Sequence, residues 1–245
     1  MQFAQASIAV VLKGFRETSR LRQYRSPTLS NLAAVVEQSA DRRRIDRLRR
    51  EMAPIFRRDP MSAAKYADPR YWLPFNVNRA GRLGLHEGRA LRLLDLGCGP
   101  GYFIAAAAAL GHSCEGVDAP DSYLNEIERR VYGELRGALG CASRVTPLLI
   151  ERYQPLPAVL RDYDLITGFA VCFNRHKQPD SWGPDEWAFF LEDAASRLRP
   201  GGRICLELND DRDRFGDLAF YDAPTLAFFR SRGEVDGRRI VVSPG

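Results

Sequence analysis

The run Leu94-Asp95-Leu96-Gly97-Cys98-Gly99-Pro100-Gly101 constrains this chain more than any other feature. It closes a short apolar stretch, 92–97, that reads as a buried strand. Glycines at 97, 99 and 101 let the backbone turn sharply and let a ligand lie against it without a Cβ in the way. The next stretch, 102–110, is alanine-rich, a good helix former that packs closely on a sheet, and Gly111 stops it. The first N–H groups of that helix have no partner inside the helix and point into the space the loop encloses. A strand, a glycine loop and a helix in this order form the setting in which backbone holds a nucleotide-like ligand.

Strands and helices alternate from here on. Apolar strands are expected at 114–118, 144–150, 163–168 and 203–208. Helices are expected at 121–139, with Asp121 or Ser122 as N-cap, and at 184–198, with Pro184 in the first turn. Residues 199–202 read as a turn. After the fifth strand come a helix at 225–232 and one clear strand at 239–242, while 234–237 begins or ends another. The pattern implies an α/β fold: a Rossmann-like, doubly wound, mostly parallel sheet covered by helices on both faces, with an N-terminal helical extension. Ligands of such sheets sit at the carboxyl ends of the strands, where the strand order reverses.

The chain has 245 residues, enough for a domain and an extension. We divide it into a basic helical extension, 1–60, and a main domain, 61–245, whose residues 61–90 are candidate lid helices. Residues 1–60 hold 13 Lys and Arg against 6 Asp and Glu, and the rest holds 23 against 25, so the net charge of +5 belongs to the front. Within 42–50, Ile45 and Leu48 share one helix face and arginines cover most of the remainder. Asp41, Asp46 and Glu51 interrupt the arginines, and no aromatic side chains stand among them for stacking on bases. A solvated helix face is therefore expected, and nucleic acid is not expected as a partner. Pro54 and Pro60 mark the end of this part. The five cysteines form no CxxC pair, which speaks against a zinc site, an iron–sulfur cluster or a disulfide framework. No metal site, membrane span or signal peptide is read, and a cytoplasmic location is the expectation.

Spacing separates two nucleotide readings. A dinucleotide loop has the form G-x-G-x-x-G, which from Gly97 requires glycine at 102, where Tyr102 stands. The third glycine is at 101, giving D-x-G-x-G-x-G from Asp95. Asp118 closes the second strand 21 residues after Gly97, placed for a carboxylate that accepts bonds from ribose hydroxyls. These residues, with the fourth strand from Tyr163 and the turn Arg199-Pro200-Gly201-Gly202, resemble the class I S-adenosylmethionine-dependent methyltransferases over about 91–209. The usual closing pair of strands of that family is only partly visible here.

The resemblance implies S-adenosylmethionine as cofactor, held by Asp95, Gly97, Cys98, Gly99, Gly101, Asp118 and Ala119. It implies methyl transfer, and the lack of nucleic-acid signatures points to a small-molecule, sugar- or lipid-like acceptor. A nucleic-acid methyltransferase using the basic segment and a non-catalytic S-adenosylmethionine-binding protein are the alternatives. Asp95 is read as orienting the loop, and Cys98 as a small loop residue with no nucleophilic role. Glu151, after the third strand, stands where the family often places a polar residue near the adenine amine; a surface pair with Arg152 is the competing reading. Phe169, after the fourth strand, lies beside the ligands or in the core. His176, seven residues further, is the candidate general base, because an unperturbed imidazole titrates near ~6.5. Tyr66, Tyr71, Trp72 and Phe75 form a lid or pack on the sheet, and Trp182 and Trp187 line the pocket or the core.

Overall fold

The computed structural model describes residues 27–171, 173, 181–209 and 222–244. They fall into two compact units between which the chain passes several times. The first takes the residues up to Arg89, Gly99–His112 and Pro120–Val145; the second takes Ala90–Cys98, Ser113–Ala119 and the residues from Thr146 onward. Position 60 lies inside the first unit.

The first unit is helical: α1 (Pro27–Ser39), α2 (Arg42–Arg58), a 3-10 turn (Ala63–Ala67), α3 (Pro69–Arg82), α4 (Tyr102–Ala109) and α5 (Glu126–Ala138). The Asp41 carboxylate caps α2 by accepting from Arg44 N at 3.1 Å. Ile45, Leu48 and Met52, three and four residues apart, form its buried face. They join Leu32 and Val36 of α1, Leu73 and Val77 of α3, Ala105 and Ala106 of α4, and Val131 and Leu135 of α5 in one cluster. Each such large side chain contributes about 1.5–3 kcal/mol by leaving water. Pro54 does not end α2, which runs on to Arg58. The next residues, Ile55 and Phe56, pack against the cluster, and that burial outweighs the lost backbone bond. The helix after the second strand begins later than expected. Asp121–Tyr123 is a 3-10 turn, and Asn125 caps α5 in a reciprocal pair with Glu128.

The aromatic group of the candidate lid packs within this unit. Tyr66 and Trp72 rings lie 4.4 Å apart, and Trp72 Nε1 donates to Lys65 O at 2.7 Å. Tyr66 also meets Tyr132 of α5, whereas Tyr71 is exposed.

The second unit carries a seven-stranded sheet in the order β3-β2-β1-β4-β5-β7-β6. Its strands are β1 (Arg92–Leu96), β2 (Ser113–Asp118), β3 (Val145–Pro147), β4 (Tyr163–Phe169), β5 (Leu198–Glu207), β6 (Glu234–Asp236) and β7 (Arg239–Val242). β1 pairs in parallel with β2 and β4, and β4 with β5, while β7 is antiparallel to β5 and to β6. The fold is α/β and Rossmann-like, and the closing strand pair is complete. β3 stops at Pro147, well short of 150. Residues 199–202 are not a separate turn but part of β5, where the register against β4 shifts. Helices α6 (Pro184–Ser196) and α7 (Ala223–Arg232) belong to this unit. Trp182 and Trp187 are core: with Phe190 and Phe229 they pack against Leu94, Leu96, Ile166 and Leu206 of the sheet.

Candidate functional site

The sheet reverses its order between β1 and β4, and the strand register fixes what stands at their carboxyl ends. Leu96 pairs with Val117 on one side and with Gly168 on the other. One residue beyond each stand Gly97, Asp118 and Phe169, so three of the expected site residues close three adjacent parallel strands. Cys98 N donates to Val117 O at 3.0 Å, tying the start of the loop to β2. Leu148 N donates to Asp118 O at 2.7 Å, and Ala119 follows directly. Glu151 is exposed, three residues beyond that bond.

Asp95 is buried at 3% exposure. Its Oδ1 accepts from the Thr167 hydroxyl at 2.7 Å, across the β1–β4 pairing. This carboxylate is held inside the sheet. Thr167 itself was not singled out by sequence reasoning; a polar residue inside the buried run 163–168 was the available signal.

The three loop glycines have φ of +65°, +51° and +83°. They are glycines for different reasons. A Cβ on Gly97 would stand 2.9 Å from Val171 Cγ1, and one on Gly101 would stand 2.5 Å from Cys141 Sγ. A side chain at either would have to displace a neighbour as well as hold a positive φ. At Gly99 the nearest atom to such a Cβ, among the described residues, is Tyr132 Cζ at 4.0 Å, an ordinary van der Waals contact. Gly99 O accepts from Arg136 Nε at 2.8 Å. Cys98 is 8% exposed, and burial pushes the Cys141 thiol up to about 11, which keeps it protonated.

Beyond β4, Ala170 holds φ +58°, an uncommon conformation for a residue with a side chain. Its N–H donates to Glu207 O at 2.7 Å, and the Asn209 amide donates to Val171 O at 3.0 Å. Asn209 and Val171 were missed from the sequence, since their roles depend on β5 lying beside β4. His176 lies outside the described residues. Among the described residues no group of three or more His, Cys, Asp or Glu side chains is placed to hold a metal, and no helix is long and apolar enough to cross a membrane.

A methyltransferase-domain family model matches residues 38–232, most of the chain, and the chain belongs to that family. No curated protein matches it. Among solved structures, the CcbJ methyltransferase from Streptomyces caelestis is 21% identical over 52% of this chain and 49% of its own, with a TM-score of 0.38. An amino pentose methyltransferase from Micromonospora echinaspora is 20% identical over 59% and 53%, with a TM-score of 0.40. An S-adenosylmethionine-dependent methyltransferase from Clostridium acetobutylicum is 16% identical over 67% and 58%, with a TM-score of 0.41. The chain thus spans about half the length of the solved structures it matches.

The family's cofactor is S-adenosylmethionine. The Asp118 carboxyl ends the strand next to β1.

Proposed function

We propose that the chain transfers a methyl group from S-adenosylmethionine to the O, N or C atom of a small-molecule, sugar- or lipid-like acceptor. The observation that carries this reading is the alignment of Gly97, Asp118 and Phe169 at the carboxyl ends of three adjacent parallel strands, where the glycine loop begins. The bound cofactor supplies a methyl group already activated on a sulfonium. The protein's share is proximity, alignment and, for a hydroxyl acceptor, removal of a proton. Gly97, Cys98, Gly99 and Gly101 offer backbone to the methionine and ribose parts, and Asp118 accepts from the ribose hydroxyls with Ala119 beside it. Glu151 serves the adenine amine, Phe169 lies next to the ligands, and Asp95 stiffens the strand from which the loop springs.

The basic segment supports a small acceptor over a nucleic acid. Arg44 and Arg47 are paired with Glu134 and Arg49 with Asp46, so part of the arginine charge of 42–50 is met within the protein.

Addition of S-adenosylmethionine or S-adenosylhomocysteine is expected to raise the melting temperature, and NAD is not. A ligand that binds only the native state stabilises by about 2.7 kcal/mol at a hundredfold excess over Kd. A thermal-shift assay with the opposite preference overturns the cofactor assignment. Asp118→Ala is expected to weaken S-adenosylhomocysteine binding by about 1.5–3 kcal/mol, the range for hydrogen bonds to a charged group. Calorimetry that finds wild-type affinity in this variant would place the ribose elsewhere.

A further inference from the structure

The turn at the end of α5 carries groups that face the glycine loop and groups that face α2. Toward the loop, Arg136 Nε donates to Gly99 O at 2.8 Å, and its guanidinium lies 5.5 Å from the Tyr132 ring centroid. Just past the helix, the Cys141 thiol points at Gly101 O, at 3.9 Å. Toward α2, Arg44 Nε and Arg47 Nη2 both donate to Glu134 Oε2, at 2.5 and 3.3 Å. The hydrogen bond from Arg44 is the main reason the Glu134 carboxyl is held below the ordinary carboxylate range. Asp41 N donates to Ala138 O at 2.9 Å. The Arg44 guanidinium lies where a side chain at Gly137 would be, so that glycine is its seat.

The Gly99–Pro100 peptide has one polar backbone group, the Gly99 carbonyl, because proline carries no N–H. The bond from Arg136 therefore engages the one polar handle of that peptide. Gly99 has more conformations open to it than any residue with a side chain. A loop fixed before binding loses less entropy when a ligand arrives, and the ligand binds more tightly for it.

We infer that residues 134–141 form a clamp on the glycine loop, that Arg136 is a positioning residue for the cofactor-binding backbone, and that α2 braces the clamp through Arg44 and Glu134. This rests on the reading that the loop holds S-adenosylmethionine. It gives the basic N-terminal helix a task in cofactor affinity, without any contact of its own with the ligand.

The test uses the full chain with Arg136→Met, which keeps the length of the side chain and removes its donors, and Arg136→Lys, which restores charge and a donor. Two quantities are read: amide hydrogen exchange across 97–104 in the ligand-free protein, and the calorimetric Kd for S-adenosylhomocysteine. Arg136→Met is expected to speed loop exchange and raise Kd, each by about tenfold, the scale of one hydrogen bond to a charged group. Arg136→Lys should fall between it and wild type. Glu134→Gln should shift both quantities the same way by a smaller factor, since it acts through the helix. A lower melting temperature in Arg136→Met with unchanged loop exchange and unchanged Kd would make the residue merely structural and overturn the clamp. Wild-type protein that binds no S-adenosylhomocysteine would instead overturn the functional reading, and loop exchange, which needs no ligand, would still decide the clamp.

Discussion

Gly99→Val is expected to leave a folded protein that binds S-adenosylhomocysteine at least about 1.5–3 kcal/mol more weakly, or not measurably. The new side chain enters the space beside the loop backbone where, among the described residues, the nearest atom to its Cβ is Tyr132 Cζ at 4.0 Å. That is ordinary van der Waals distance for the Cβ, so the main cost to folding is the strain of a branched residue at φ +51°, about 1–3 kcal/mol. Gly101→Val is the contrasting variant. Its Cβ would stand 2.5 Å from the buried Cys141 sulfur at φ +83°, so overpacking adds about 1–3 kcal/mol to the backbone strain. Denaturation curves and calorimetry on the two proteins separate the effects: Gly101→Val should lose mainly stability, Gly99→Val mainly affinity. Wild-type affinity in folded Gly99→Val protein would show that no ligand uses that space.

If His176 is the general base that the sequence suggests, His176→Ala is expected to lower kcat by about 10²–10⁴, the usual contribution of such a base. Cofactor affinity should stay near wild type, because the residues proposed to hold the cofactor close β1 and β2. The loss belongs in kcat because the proton moves in the transition state and not on binding. A base must be neutral to accept a proton, so the wild-type rate should fall as pH drops through the imidazole pKa, about 6.5 for an unperturbed histidine. Turnover per folded molecule decides between roles once an acceptor is in hand. Near-normal kcat in the alanine variant removes His176 from the mechanism, and an acceptor that gives up its proton unaided would produce that result.

The amino-acid pattern was enough to place the elements that frame the site. β1 and β4 are short, mostly apolar runs, Asp118 closes β2, and Gly97, Gly99 and Gly101 follow β1 at spacings set by local geometry, since a strand that turns directly into a helix needs residues free to take positive φ. Local chemistry also placed Pro184 in the first turn of α6 and Ile45 with Leu48 on the buried face of α2. Elsewhere local signals were overruled by partners far away in the chain. Pro54 reads as a stop, yet burial of Ile55 and Phe56 carries α2 past it. The closing strands were visible only in part, because their order, with β7 between β5 and β6, follows from pairing Cys205 with Val241 and Val235 with Ile240.

What each loop glycine is for was likewise decided only in three dimensions. From the sequence, Gly97, Gly99 and Gly101 are equivalent. In the folded chain Val171 fills the space beside the first and Cys141 the space beside the third, 74 and 40 residues away, while beside the middle one the nearest described atom, Tyr132 Cζ, stands at 4.0 Å. The same holds for Thr167 on Asp95 and for Arg136 on Gly99, 72 and 37 residues apart. Periodicity and turn chemistry act over a few residues and are written in the order of the amino acids. Side-chain contacts across such separations come into being only when strands and helices have packed, so tertiary structure alone decides them.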